Sequence, residues 1–66
     1  MQKLSFSNFP VAGMANLIFR TKDGILHQGS YLFNELMQRR WIDSDGNEYT
    51  SDMVDEWEEE YGMFKL

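Results

Sequence analysis

Residues 16–30, with the sequence NLIFRTKDGILHQGS, contain a strong structural signal. Two apolar runs, Asn16 to Thr21 and Ile25 to Ser30, lie on either side of Lys22-Asp23-Gly24. An Asp-Gly pair between apolar runs is a strong signal for a β-hairpin, because glycine accepts the positive φ angle that tight turns require. The stretch therefore predicts two antiparallel strands. Apolar side chains fall on both faces of this hairpin, so we expect one face to lie against a second layer or a partner.

The residues before this hairpin form an apolar segment interrupted by Pro10. We expect a short edge strand around Lys3–Phe6 followed by an irregular loop, because proline is confined to the edges of sheets. Residues 1–14 are too apolar to form a free tail. Much of this segment is therefore expected to lie over the core.

A second hairpin is predicted after residue 40. Trp41 to Asp43 and Glu48 to Thr50 are short strand candidates on either side of Ser44-Asp45-Gly46-Asn47. Glycine again supplies the turn. The acidic part of the sequence begins within this hairpin, at Asp43.

The segment Tyr31 to Arg40 is predicted to be a helix. Leu32 and Leu36 are spaced i,i+4, as neighbours on one helix face are. Ser30 is an acceptable N-cap. The same spacing holds for three further apolar residues, Phe33, Met37 and Trp41.

A second helix is predicted over Ser51 to Tyr61. Val54, Trp57 and Tyr61 follow the i, i+3, i+7 spacing of an apolar helix stripe. Gly62 is expected to end the helix as a left-handed cap. The three apolar residues beyond it are expected to fold back onto Trp57 or the core; they are Met63, Phe64 and Leu66.

These elements together predict an α+β fold, a small antiparallel sheet of two hairpins with two helices packed on one face. The 66 residues, 7.8 kDa, form a single small domain over positions 1–66. A chain of this length buries only about 60% of the surface it exposes when unfolded. It has no room for a dinucleotide-binding fold or a barrel enzyme. A homodimer is an open alternative, because such small cores are marginally stable.

The chain contains no cysteine, which excludes disulfides, thiol catalysis and cysteine-bound metals. Small secreted domains usually need disulfides, so we expect a cytoplasmic protein. The longest apolar run, Val11 to Phe19, is broken by Gly13 and Asn16. It is shorter than the roughly 20 residues that a membrane span needs. We therefore expect no membrane partner.

Charge is distributed unevenly along the chain. The net charge is −5, yet residues 1–42 hold five basic and two acidic side chains, and residues 43–60 hold nine acidic and no basic ones. In a helix over 51–61 these carboxylates would repel one another at i,i+4. A cationic partner would relieve that repulsion. The predicted partner-binding residues are Asp43, Asp45, Glu48, Asp52, Asp55, Glu56, Glu59, Tyr49 and Tyr61.

The charge pattern thus predicts a small, non-catalytic protein that regulates or inhibits a partner with a basic surface. Carboxylates along a rigid edge can imitate the phosphates of a nucleic acid, so a nucleic-acid-handling protein is a natural target. Two alternatives stay open. In one, the chain is an oligomerisation module and its acidic face only aids solubility. In the other, it binds nucleic acid weakly through four residues, Arg20, Arg39, Arg40 and Trp41.

An enzyme, a cofactor and a metal site are not expected. His27 is the only histidine, and no nucleophile accompanies it in a recognisable arrangement. The run Asp43-x-Asp45-x-Asn47 resembles the start of a calcium loop. However, Glu48 stands at the sixth position, where such loops need glycine. An ordinary turn is the favoured interpretation.

Overall fold

A computed structural model describes residues 1–60 of the chain. Its six strands form one antiparallel sheet in the order β1-β6-β2-β3-β4-β5. The strands are β1 Gln2–Lys3, β2 Met14–Thr21, β3 Leu26–Phe33, β4 Arg39–Asp43, β5 Glu48–Tyr49 and β6 Val54–Glu59. A single 3₁₀ turn, Ser51–Met53, is the only helical element within these 60 residues. The predicted α+β fold, with two helices on one face of the sheet, is therefore wrong.

The predicted helix over Tyr31 to Arg40 is instead a third hairpin. β3 continues to Phe33, a turn follows, and β4 begins at Arg39. The side-chain oxygen of Asn34 accepts hydrogen bonds from the backbone N–H groups of Leu36 (2.9 Å) and Gln38 (3.0 Å). A short polar side chain that bonds the backbone in this way favours turns over helices. The i,i+4 apolar spacing across this segment was coincidental.

Where a helix was predicted over Ser51 to Tyr61, the described residues form the 3₁₀ turn Ser51–Met53 and the strand Val54–Glu59, which contains an irregularity. Thr21 pairs with Val54, but the preceding Arg20 pairs with Glu56, so Asp55 is an extra residue in β6. Such a bulge changes the spacing of residues on one sheet face from two to three. Val54 and Trp57 therefore both point into the core although they are spaced i,i+3. A β-bulge produced the spacing that suggested a helix.

The two predicted hairpins are confirmed. β2 and β3 pair across the Lys22–Gly24 turn, and β4 and β5 pair across residues 44–47. Gly24 and Gly46 have φ angles of +89° and +88°, the conformation for which glycine is suited. The predicted edge strand Lys3–Phe6 is shorter than expected and lies at Gln2–Lys3.

The core lies on one face of the sheet and is largely aromatic. Its buried side chains come from β2, β3, β4 and β6: Leu17, Phe19, Tyr31, Trp41, Val54 and Trp57. Tyr31 and Trp41 are both buried. The ring centroid of Trp41 lies 4.9 Å from that of Tyr31 and 5.3 Å from that of Phe19.

The N-terminal segment takes the place of the missing helices. Phe9 lies against Tyr31, with ring centroids 5.5 Å apart, and against Trp41 at 6.3 Å. The indole Nε1 of Trp57 donates to the carbonyl oxygen of Asn8 at 2.9 Å. The expectation that residues 1–14 cover the core is therefore confirmed.

Within residues 1–60, no helix is long and apolar enough to cross a membrane. The expected helix end at Tyr61, the cap at Gly62 and the three apolar residues after it lie outside the described residues.

Gly29 is the position at which a small change should most disturb the sheet. It pairs with Leu17 on one side and Asp43 on the other. An added Cβ would meet the carbonyl oxygen of Ile42 and lie 2.8 Å from the Cα of Asp43. We expect Gly29→Ala to lower the free energy of unfolding by about 2–4 kcal/mol in urea titrations.

Gly46→Ala is the matched control for this substitution. Gly46 has positive φ but open space around it, so only backbone strain is expected, about 1–2 kcal/mol. An equal or smaller loss at Gly29 would contradict the close approach of β3 and β4.

Candidate functional site

The topology brings three loops to one end of the sheet. β2 and β4 run in the same direction and both end there, and β6 begins there. The loops are the β2–β3 turn, the β4–β5 turn and the 3₁₀ turn at Ser51–Met53. They carry what we call the acidic end, defined by Asp23, Asp43, Asp45, Asp52 and Tyr49.

Asp43 organises the turn between β4 and β5. Its Oδ1 accepts the backbone N–H groups of Asp45 (3.0 Å) and Asn47 (2.9 Å). Its Oδ2 accepts the Tyr49 hydroxyl at 3.0 Å and the Asn47 amide at 3.1 Å. Burial alone would raise the pKa of Asp43, but these hydrogen bonds together outweigh it and hold the pKa below its usual value. With a side chain only 8% exposed, Asp43 supports the turn instead of meeting a partner directly.

His27 ties the strands together beneath the acidic end. Its ring stacks on Phe19, with centroids 5.2 Å apart, and lies 4.8 Å from the ring of Tyr49. Its Nε2 is 3.2 Å from the hydroxyl of Thr21, and its Nδ1 is 3.8 Å from Oδ2 of Asp43. The single histidine thus joins β2, β3, β4 and β5.

The row Thr21, His27, Asp43 has the residue types of a hydrolytic triad. Thr21 is only 5% exposed, and its hydroxyl lies against the Asp23 carboxylate and the carbonyl oxygen of Ile25. The 3.8 Å between His27 and Asp43 exceeds a hydrogen bond. A nucleophile needs an accessible hydroxyl whose proton passes to the base. In this structure the hydroxyl of Thr21 is engaged by groups of the sheet itself.

The pKa of Tyr49 responds to the negative charge of this end. Burial raises the pKa of its hydroxyl, and the hydrogen bond to Asp43 raises it further. The charges of Asp43, Asp23 and Asp45 act in the same direction. Carboxylates from two separate loops therefore act on one point, so a cation approaching this end would be attracted by all of them.

A cleft opens between two of the loops. Its volume is about 330 Å³, and it is lined by Thr21, Lys22, Asp23, Tyr49, Asp52 and Met53. A hydrogen bond from the Thr21 hydroxyl lowers the pKa of Asp23, and one from the Thr50 hydroxyl lowers that of Asp52. Both carboxylates are therefore ionised at neutral pH. Met53 is exposed, lines the same cleft and adds apolar surface to the acidic end.

The carboxylates of β6 do not join this site. Asp55 lies 3.5 Å from Lys3, Glu56 pairs with Arg20, and Glu58 lies 3.4 Å from the N-terminal amine of Met1. The repulsion expected in a helix is absent, because β6 is a strand whose side chains alternate between faces. Intramolecular cations instead offset part of this charge. The helical repulsion from which a cationic partner was inferred therefore does not arise over Val54–Glu59.

The predicted binding residues therefore do not all lie in one place. Asp43, Asp45, Asp52 and Tyr49 come together at the acidic end. Glu48 faces the outer side of the sheet, where it accepts a hydrogen bond from Asn34 at 3.2 Å. Asp55 and Glu56 are paired as above, Glu59 is exposed towards the opposite end of β6, and Tyr61 lies outside the described residues.

Asp23 belongs to the acidic end but was not predicted. Its Asp-Gly turn was recognised as a hairpin signal. Once β2 and β4 are known to be parallel within the sheet, their following turns must share one end. The strand order therefore indicates that Asp23 lies at this end. The incorrect prediction of a helix over residues 31–40 hid that order, because it replaced the hairpin between β3 and β4.

Comparisons with protein-family models, with curated proteins and with solved structures find no match for this chain. Among residues 1–60, no three histidine, aspartate or glutamate side chains are grouped so that they could hold a metal ion.

The residues suggested for nucleic-acid binding do not form one surface. Trp41 is fully buried and offers no face for a base. Arg20 is paired with Glu56. Arg39 lies at the other end of the sheet from the acidic end, beside Phe33.

The pH dependence of stability tests the role of Asp43. Its folded pKa is lower than its unfolded one, so its contribution is complete above about pH 4 and is lost as pH falls through the folded value. We expect the stability difference between the wild type and Asp43→Asn to be largest at neutral pH. It should shrink in urea titrations carried out at progressively lower pH below about 4. Glu35→Gln, at an exposed position, is the control; a difference for Asp43→Asn that is constant with pH would contradict this role.

Proposed function

We propose that the chain is a small, non-catalytic binding domain that regulates a protein partner through its acidic end. The observation that supports this proposal most directly is the convergence of Asp23, Asp45 and Asp52 from three loops. All three side chains belong to exposed residues. Lys22 is the one cation among the residues lining the cleft beside them. The partner that fits this end is a protein with a basic surface.

The composition of the acidic end supports protein binding over simple solubilisation. Met53 and Tyr49 line the cleft at this end together with Asp23 and Asp52. Methionine and aromatic side chains are enriched in interface cores, whereas charged groups favour the rim. Charges at the rim speed the encounter of complementary partners, and central apolar contacts slow their dissociation.

The spatial arrangement of these carboxylates suggests the class of partner. Carboxylates fixed on short turns of one sheet present a rigid set of anions, as phosphates along a nucleic acid do. The basic groove of a nucleic-acid-handling protein is the surface they would block. We place this action in the cytoplasm, because the chain has no cysteine to stabilise it in an oxidising compartment.

Titration of the ¹⁵N-labelled chain with an arginine-rich peptide tests the proposal. We expect amide shifts at residues 22–24, 44–47 and 51–53, and a steep loss of affinity when salt is raised to about 0.5 M. The double substitution Asp45→Lys with Asp52→Lys should weaken binding by about tenfold or more.

Glu35→Lys with Glu48→Lys is the matched control, because it changes the net charge equally at exposed positions elsewhere. The control should retain most of the affinity. Equal weakening in both double variants, or shifts spread over β6, would mean that only net charge matters and would overturn the proposal.

A further inference from the structure

His27 lies directly beneath the acidic end, although it is not one of the residues that define it. Its ring packs against those of Phe19 and Tyr49, and its side chain is 15% exposed. One ring nitrogen faces Thr21, at the end of β2, and the other faces Asp43, at the end of β4. A change in the charge of this ring would therefore act on the turns that follow both strands.

The hydrogen bonds of Thr21 place the proton of the neutral ring on Nε2. The Thr21 hydroxyl has a single hydrogen, and it donates towards the Asp23 carboxylate and the carbonyl oxygen of Ile25. Both of these oxygens can only accept, so the hydroxyl oxygen accepts from His27, whose Nε2 is 3.2 Å away. One hydroxyl group therefore separates the ring from Asp23, an exposed carboxylate of the acidic end.

The other nitrogen of the neutral ring, Nδ1, carries a lone pair and faces a carboxylate. It lies 3.8 Å from Oδ2 of Asp43. A lone pair in this position offers nothing to the carboxylate, whereas a protonated Nδ1 is a donor towards it and gives the ring a full positive charge. Asp43 in turn accepts the backbone N–H of Asp45 in the β4–β5 turn. The one ring atom that can gain a proton therefore points towards the second loop of the acidic end.

The charged and titratable groups that face the ring do not change their state near neutral pH. They are Asp23 from the β2–β3 turn, Asp43 from β4 and Tyr49 from β5. The pKa of each aspartate lies below its usual value, so both stay ionised, and the pKa of Tyr49 is raised, so its hydroxyl stays neutral. Histidine ordinarily titrates near about pH 6.5. Within this set, only the charge of His27 changes between about pH 5.5 and about pH 7.5.

We propose that His27 is a proton sensor for the acidic end, so that the chain binds a basic partner more tightly at neutral pH than under mildly acidic conditions. The proposal rests on the proposed function, because it concerns the regulation of the same surface. With the ring neutral, the aspartates of both loops act on a cation with their full charge. With the ring protonated, a positive charge lies beneath both loops, pairs with Asp43 and lowers the attraction for a cation.

Protonation of the ring and binding of a cation must oppose each other equally. If the proton on His27 weakens binding by a given factor, a bound partner makes the ring harder to protonate by the same factor. One positive charge close to the surface is expected to change the affinity about threefold to tenfold. The effect should shrink as salt is raised, because charges separated by more than about 8 Å are screened at 0.15 M ionic strength.

Calorimetric titration with an arginine-rich peptide at about pH 7.5 and about pH 5.5, in the same salt, is the first test. The peptide is blocked at both termini, so that it does not titrate in this range. We expect the wild type to bind about threefold to tenfold more weakly at the lower pH. His27→Gln keeps a neutral donor for Thr21 and every other titrating group, so its affinity should be nearly the same at both pH values. An unchanged wild-type affinity, tighter binding at the lower pH, or a loss that His27→Gln shares would overturn the proposal.

NMR titration of the wild type gives a second test that needs no substitution. His27 is the only histidine, so the imidazole signals follow its proton alone. The midpoint of their change with pH should lie lower in the peptide-saturated chain than in the free chain, by about 0.5 to 1. A midpoint that does not move, or that moves to higher pH, contradicts the coupling even if His27→Gln does not fold.

The proposed function and this inference fail in different ways. If the peptide binds the acidic end equally well at both pH values, proton sensing by His27 is wrong and the proposed function stands. If the peptide binds at neither pH, the acidic end is not a cation-binding surface and both proposals fail.

Discussion

Trp41 makes the contacts on which the rest of the structure depends. It is fully buried at the centre of the core face, where it contacts the rings of Phe19, Tyr31 and Phe9. Its indole N–H donates to the hydroxyl of Ser51 at 3.0 Å, so its one polar group is satisfied. Large aromatic rings supply much apolar area per residue, which is what a domain of this size needs. This packing adds a shared aromatic contact to strands that are also joined by backbone hydrogen bonds.

The position of the candidate site is a consequence of that packing. With Trp41 enclosed, β4 is fixed beside β3, and Asp43 is placed under the turn that follows. His27 and Tyr49 then fill the space between Phe19 and Asp43. The exposed aspartates therefore project from short turns whose flanking residues are held in place by these contacts. Such turns present their charges with little loss of entropy on binding.

The local turn signals in the sequence predicted both hairpins, because Asp-Gly and Asp-Gly-Asn turns depend only on the residues within them. The helices were predicted wrongly for a different reason. The spacing of Val54 and Trp57 depends on the bulge at Asp55, which is visible only once β6 is paired with β2. The i,i+4 pattern after Tyr31 was interrupted by Asn34, whose side-chain hydrogen bonds start a turn. Asp45 and Asp52 were identified by charge alone, whereas Asp23 required the strand order.

Val54–Glu59 is a bulged strand, so the acidic end is built from loops and not from a charged helix. NMR measurement of Cα chemical shifts and cross-strand nuclear Overhauser effects over residues 51–60 tests this claim most directly. We expect extended-chain shifts and contacts between Phe19 of β2 and Trp57 of β6. Helical shifts with consecutive amide–amide contacts over the same residues would contradict it.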